Sequence, residues 1–166
     1  QFFDPSAVSA QRIIQLSKRW RVPDDASVIM LPGRLTRWKG QRVMIKALSL
    51  IKNRKNLRCI FVGSEQGHTR YGRELRREIQ KRGLASNFHF TGHCSDMPAA
   101  FMLSDVVVST STEAEAFGRV IVEAQAMGRP VIATNHGAAC ETISPGNTGW
   151  LVNPNDAKAL SSALLT

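Results

Sequence analysis

Short apolar runs closed by turn residues recur along the chain. Val28-Ile29-Met30-Leu31 ends at Pro32-Gly33, Leu57 to Val62 ends at Gly63, and Phe88-His89-Phe90-Thr91 ends at Gly92. Val106-Val107-Val108 runs into a Ser/Thr cluster, Pro130 to Thr134 into Asn135, and Trp150-Leu151-Val152 into Asn153-Pro154. Runs this short, rich in β-branched and aromatic residues and bounded by turn formers, predict buried strands. Between them the apolar positions change to helical spacing: Val43, Ala47, Leu50 and Ile51; Leu75, Ile79 and Leu84 after an Arg-rich stretch; Val120, Ala124 and Met127. Pro98 to Ser104 predicts a short helix, and Asp156 caps a last one through Leu160 and Leu164. Ser6 is expected to open a first helix with Ile13, Ile14 and Leu16 inside.

Strands apolar on both faces, alternating with helices, predict an α/β domain whose parallel sheet is covered on both sides. Six such strands joined by right-handed crossovers give a Rossmann-like doubly wound parallel sheet, and residues 1–166 make one such domain. Ligands of that architecture sit at the carboxyl ends of the strands, which here are the Gly, Ser/Thr and Asn clusters. No G-x-G-x-x-G follows the first strand, where Pro32-Gly33-Arg34-Leu35 stands instead, so NAD and FAD are poor fits. The absence of G-x-x-x-x-G-K-[ST] removes the P-loop class.

Composition adds a partner class. The 166 residues are 43% hydrophobic, enough for one core without disulfides. Cys59, Cys94 and Cys140 are odd in number and widely spaced, which reads as reduced thiols of a cytoplasmic protein rather than a zinc site or disulfide framework. No apolar run approaches the roughly 20 residues of a membrane span. Gln1 is not an initiator methionine, which suggests a fragment of a longer chain. Net charge is +9, but residues 1–83 hold 19 Lys+Arg against 6 Asp+Glu and residues 84–166 hold 3 against 7. A basic half attracts phosphates, whether of a nucleotide, an anionic lipid or a nucleic acid, although most of its arginines read as a solvated surface. No nucleic-acid-binding motif accompanies it.

Two loops carry candidate chemistry. Glu115-Ala116-Phe117-Gly118-Arg119-Val120-Ile121-Val122-Glu123 follows the fourth strand and turns into a helix. Exposed N–H groups at a helix start favour a phosphate or a partly charged sugar oxygen. Glu123 shares a face with Val120 and Met127, and a carboxylate there can accept two hydroxyls, such as a ribose cis-diol. Glu115 could accept sugar hydroxyls nearer a reacting carbon. With seven glutamates in the chain, a Glu-x7-Glu spacing arises by chance roughly 0.3 times, so its weight comes from the strand–loop–helix context. In the loop after the first strand, Arg34 and Lys39 could stabilise a leaving diphosphate without a metal, while Arg37 and Arg42 read as surface cations and Trp38 as packing. His68, His89, His93 and His136 are scattered; His89 reads as structural, and His93 and His136 lie beyond strand ends where a ligand could reach. Ser109, Ser111 and Thr112 lack a base partner and read as backbone-satisfying.

In order along the chain stand Pro32-Gly33-Arg34-Leu35…Lys39-Gly40, Val62-Gly63, Phe90-Thr91-Gly92, Ser109-Thr110-Ser111 to Glu115, Phe117-Gly118, Glu123-Ala124, Gly128-Arg129-Pro130-Val131-Ile132-Ala133 and Glu141…Gly149-Trp150-Leu151-Val152. This series resembles the C-terminal domain of the group 1 (GT4) glycosyltransferases, which have the GT-B fold. The resemblance implies a retaining, metal-independent enzyme without cofactor that uses a nucleoside diphosphate sugar, UDP- or GDP-linked, as donor. It implies that Glu123 holds the donor ribose, that Glu115 contacts the transferred sugar, and that Arg34 and Lys39 bind the diphosphate. Phe117 and Gly118 would line the site through their backbone, with Gly33, Arg119 and Val120 completing it. The segment holding His93, Cys94, Ser95 and Met97 would bind the nucleobase. The acceptor, a saccharide or lipid-linked molecule of cell-envelope polysaccharide or lipopolysaccharide synthesis, would be held by an N-terminal domain outside this chain. A peripheral contact with the inner face of the cytoplasmic membrane is compatible with this. Two positions depart from the pattern: Ala116 stands where Gly is usual, and Gly137-Ala138 where Gly-Gly is common. The alternative is a catalytically silent nucleotide- or anion-binding module using the basic first half.

Overall fold

A computed structural model describes residues 2–67 and 69–166. Gln1 and His68 lie outside the described residues. Six strands, β1 (Ser27–Pro32), β2 (Leu57–Val62), β3 (Phe88–Gly92), β4 (Val106–Ser109), β5 (Val131–Thr134) and β6 (Gly149–Val152), form one sheet in the order β3-β2-β1-β4-β5-β6. All five pairings are parallel, as the apolar runs predict. The helices are α1 (Ala10–Trp20), α2 (Gln41–Leu50), α3 (Thr69–Lys81), α4 (Met97–Leu103), α5 (Arg119–Ala126), α6 (Ala139–Thr142) and α7 (Ala157–Ala163).

Strand alternation divides the core in two. Ile29, Leu31, Cys59, Phe61, Val108 and Ile132 pack under α2, α3 and α7, against Met44, Leu48, Leu75 and Leu160. Val28, Met30, Ile60, Val62, Val107 and Val131 face the other way, against Leu16, Trp20, Phe101, Ile121 and Ala124 of α1, α4 and α5. Both sheet faces are thus closed within the chain, and each fully buried large side chain contributes about 1.5–3 kcal/mol. Phe88 and Phe90 pack on Phe61, each with ring centroids 5.2 Å away. His89 between them is half-buried, and burial, helped by Arg21, lowers its pKa, in keeping with a structural role.

Three expectations need correction. Ser6 does not open α1: it lies in a 3-10 turn, Pro5–Ala7, and the helix is capped by Ser9, whose hydroxyl accepts the Arg12 N–H. Pro5 pre-sets the turn, so the chain spends its first polar residues there. Ile14 is exposed, not inside with Leu16. Leu84 lies beyond α3, which ends before Gly83 at φ +66°, and it reaches the core because its N–H returns to the Ile79 carbonyl at 3.0 Å. The Arg-rich stretch itself is helix: α3 presents Arg70, Arg73 and Arg77 to solvent. Among the described residues no helix is long and apolar enough to cross a membrane. Cys59, Cys94 and Cys140 are all free thiols.

Candidate functional site

β1 and β4 lie side by side at the centre of the sheet, yet the chain leaves β1 toward β2 and leaves β4 toward β5. Loops diverging from adjacent parallel strands open a crevice at this switch point. Here the loops are stitched together at its base. Thr110 Oγ1 donates to the Lys39 and Gly40 carbonyls, each at 3.1 Å, and the Thr112 N–H donates to the Trp38 carbonyl at 2.7 Å. Gly40 is required for that approach: at φ +70° a Cβ there would stand 1.9 Å from the Thr110 carbonyl oxygen. The fully buried Gln41 amide donates to the Arg34 carbonyl at 2.9 Å and fixes the rest of the first loop.

Between the loops is a cleft of about 420 Å³, with Gly33, Arg34, Trp38 and Lys39 on one wall and residues 114–120 on the other. Across it Lys39 Nζ meets Glu115 Oε1 at 2.7 Å, with the two side chains only 13% and 19% exposed. Ser111 Oγ donates to the same oxygen. Burial pushes the Glu115 pKa up, but the hydrogen bonds from Lys39 and Ser111 outweigh it and hold the carboxyl below its ordinary range. Oε1 is therefore doubly engaged, while Oε2 has no partner among the described residues and is free to accept. Lys39 Nζ also lies 4.4 Å from the Trp38 ring centroid, so Trp38 supports the cation as well as packing.

Arg34 is exposed, pairs with no carboxylate among the described residues, and makes one long contact to Gln66 Oε1 at 3.4 Å. Opposite it α5 begins at Gly118 without a side-chain cap. The Arg119 and Val120 N–H groups border the cleft and meet no acceptor among the described residues, leaving donors for an anion. Phe117, also in the cleft lining, stands 82% exposed beside them. Arg37 and Arg42 instead pair with Glu74, at 2.8 and 3.0 Å, as surface cations. Other cations of the basic half are paired in the same way: Arg12 holds Asp96, Arg76 holds Glu65 and Arg82 holds Glu78.

Other sequence candidates lie outside the cleft lining. Glu123 sits on α5, half-buried and without a hydrogen-bond or ion-pair partner among the described residues. Burial raises its pKa, and Arg119 only partly opposes this. His93, Cys94 and Ser95 form the loop after β3, and Met97 starts α4. Cys94 and Met97 pack against the α1–α4 side of the core.

Sequence reasoning missed what backs Glu115. Gly137, at φ +58°, lies so close that a Cβ there would be 2.7 Å from the Glu115 carbonyl oxygen. The Ala138 N–H donates to that oxygen at 3.0 Å. The Gly137-Ala138 departure thus keeps the glycine that Glu115 needs. The Ala138 methyl lies where a Cβ on Gly118 would touch it at 3.4 Å. Ser111, expected only to satisfy backbone, holds the Glu115 side chain. The polar residues closing β4 and β5 were the available signal, but their pairing depends on strand order.

The sequence pattern described as "Glycosyl transferases group 1" matches residues 13–166. The chain is 33% identical over 150 residues to a D-inositol 3-phosphate glycosyltransferase of Corynebacterium glutamicum, covering 87% of this chain and 36% of that protein. A solved glycosyltransferase from Rickettsia africae superposes with a TM-score of 0.95 at 37% identity, covering 98% of this chain and 43% of that one. Anabaena HepE, solved with UDP and glucose, superposes at 0.88 with 34% identity, covering 96% of this chain and 44% of that one. The chain therefore spans less than half the length of these proteins.

Proposed function

This chain belongs to the glycosyl transferases of group 1, and from that premise we propose that it is the donor-binding half of a retaining, metal-independent enzyme. It moves a sugar from a UDP- or GDP-linked donor to a saccharide or lipid-linked acceptor in cell-envelope polysaccharide or lipopolysaccharide synthesis. An N-terminal domain holds the acceptor, and the whole works in the cytoplasm or at the inner face of its membrane. The observation that carries the reading is the cleft in which Arg34, Lys39 and two free helix N–H groups converge beside a carboxylate with one free oxygen.

In this reading the diphosphate lies between Arg34, Lys39 and the start of α5. As the glycosidic bond breaks, negative charge grows on the departing phosphate oxygen and meets donors already in place, which lowers the barrier without reorganisation. Lys39 keeps one proton on Glu115 and has two left for phosphate oxygens. Glu115 Oε2 accepts a sugar hydroxyl and orients the ring; the acceptor hydroxyl attacks from the face the diphosphate leaves and passes its proton to the departing phosphate oxygen. Glu123, half-buried and unpartnered, accepts the ribose diol, and the base extends toward His93, Cys94, Ser95 and Met97. The solved complex of HepE with UDP and glucose supports a UDP-linked donor.

Calorimetric titration with UDP and with GDP tests the reading. Weak binding of one nucleotide is expected, with a loss of about tenfold in Glu123→Ala. If neither nucleotide binds even at about millimolar concentration, the domain is not a donor site. If Glu123→Ala binds as tightly as wild type, the ribose assignment falls. Flotation with anionic vesicles at low and high salt tests the membrane contact, since plain electrostatic attraction disappears at high salt.

A further inference from the structure

Resting on that reading of the cleft as a donor site, we propose that His136 is a positioning residue, which acts through Ser111 to fix the Glu115 carboxylate for the donor sugar. His136 follows β5, and its Nε2 lies 2.9 Å from the Ser111 carbonyl oxygen. A carbonyl only accepts, so Nε2 carries the proton. Thr134 Oγ1 donates to the same carbonyl at 2.8 Å, so both lone pairs of that oxygen are used and the Ser111 backbone is pinned from two sides. Ser111 Oγ then points at Glu115 Oε1, where it joins Lys39. The chain of contacts runs from the end of β5, through the end of β4, to the carboxylate in the cleft.

Packing alone does not account for an imidazole at this position. Its other nitrogen, Nδ1, is buried with no hydrogen-bond partner among the described residues. A residue kept only to fill space would avoid that unmet polar atom, because an apolar side chain of similar size has none to bury. The gap that His136 borders, shared with Ser109, Ser111, Glu115 and Thr134, measures about 10 Å³ and has room for one water at most. The Nε2–H bond to Ser111 is the contact the imidazole contributes, and its direction leads to Glu115. The orientation matters because Oε1 is fully engaged and only Oε2 remains for a sugar hydroxyl, so a small rotation of the carboxylate moves the one available acceptor.

The test is a comparison of UDP with UDP-glucose, and of GDP with GDP-mannose, titrated into wild type, His136→Leu, His136→Gln, Ser111→Ala and the His136→Leu/Ser111→Ala pair. His136→Leu is expected to weaken the sugar nucleotide about three- to tenfold while the free nucleotide stays within about twofold. His136→Gln restores affinity, because its amide N–H reaches where Nε2 does. Ser111→Ala gives the same selective loss, and the double variant loses no more than the larger single one, since both act on one path. Equal losses for nucleotide and sugar nucleotide, additive losses, or no rescue by glutamine would each overturn the proposal. So would a wild type that binds sugar nucleotide no more tightly than nucleotide. If wild type binds no nucleotide, the donor-site reading falls and takes this proposal with it; if it binds and His136→Leu changes nothing, only this proposal falls. Should His136→Leu not fold, His136→Ala takes its place in the same comparison.

Discussion

The two glutamates, eight residues apart, sit in opposite surroundings. Glu115 is held from three sides, by Lys39, by Ser111 and by the Gly137-Ala138 backbone, and its pKa is lowered. Glu123, on α5, is half-buried with no partner among the described residues, and its pKa is raised. A carboxylate with its hydrogen bonds made is part of the folded framework and offers a ligand only what is left over. One without them carries a desolvation cost that a ligand can relieve. In the proposed function the first orients the sugar and the second binds the ribose.

The largest expected effect breaks the first environment. Lys39→Met leaves a mostly buried carboxylate with only Ser111, and should cost about 2–3 kcal/mol of stability, read by urea denaturation. It should also weaken nucleotide binding at least about tenfold, through loss of the phosphate contact proposed for Lys39. A stability unchanged within error would mean that the ion pair is idle.

Gly137→Ala comes next. At φ +58° and against the Glu115 backbone, the added methyl forces one loop to move, at an expected cost of about 1–3 kcal/mol. Binding of UDP-glucose should suffer more than binding of UDP, because Glu115 shifts while α5 stays. Equal losses would show that the two environments are not separable.

Glu123→Gln sharpens the contrast from the other side. Removing an unpartnered charge should leave stability unchanged or raise it by up to about 0.5 kcal/mol, while nucleotide affinity falls. A clear loss of stability would reveal a structural partner for Glu123.

The smallest effect is in pH dependence, and the signs oppose. Glu115 has a lowered pKa, so its contribution to stability is complete above the ordinary value of 4.5 and is lost as pH falls through the lower folded value. Glu123 has a raised pKa, so its contribution is present below 4.5 and is lost as pH rises through the higher folded value. Urea midpoints from about pH 3 to about pH 7 should show a shallower acid-side loss in Glu115→Gln and a shallower loss on the rising side in Glu123→Gln.

The alternation of apolar runs and turn residues determined the six strands, most of the helices and the parallel, doubly covered sheet, because burial on both strand faces leaves a local trace in every segment. It failed where local signals compete, as at Ser6 and Ser9, and at Leu84, which reaches the core from a turn rather than from a helix. It also placed Arg34, Lys39 and Glu115 at strand ends, where this architecture binds ligands. What the sequence could not decide is which ends meet. Lys39 and Glu115 are 76 positions apart and become a pair only because β1 lies beside β4. His136 reaches Ser111 only because β5 lies on the other side of β4. Strand order is a property of the whole sheet, set by how all the helices cover it, and no single segment records it. The tertiary structure alone therefore decided that Glu115 is gripped and Glu123 is left open.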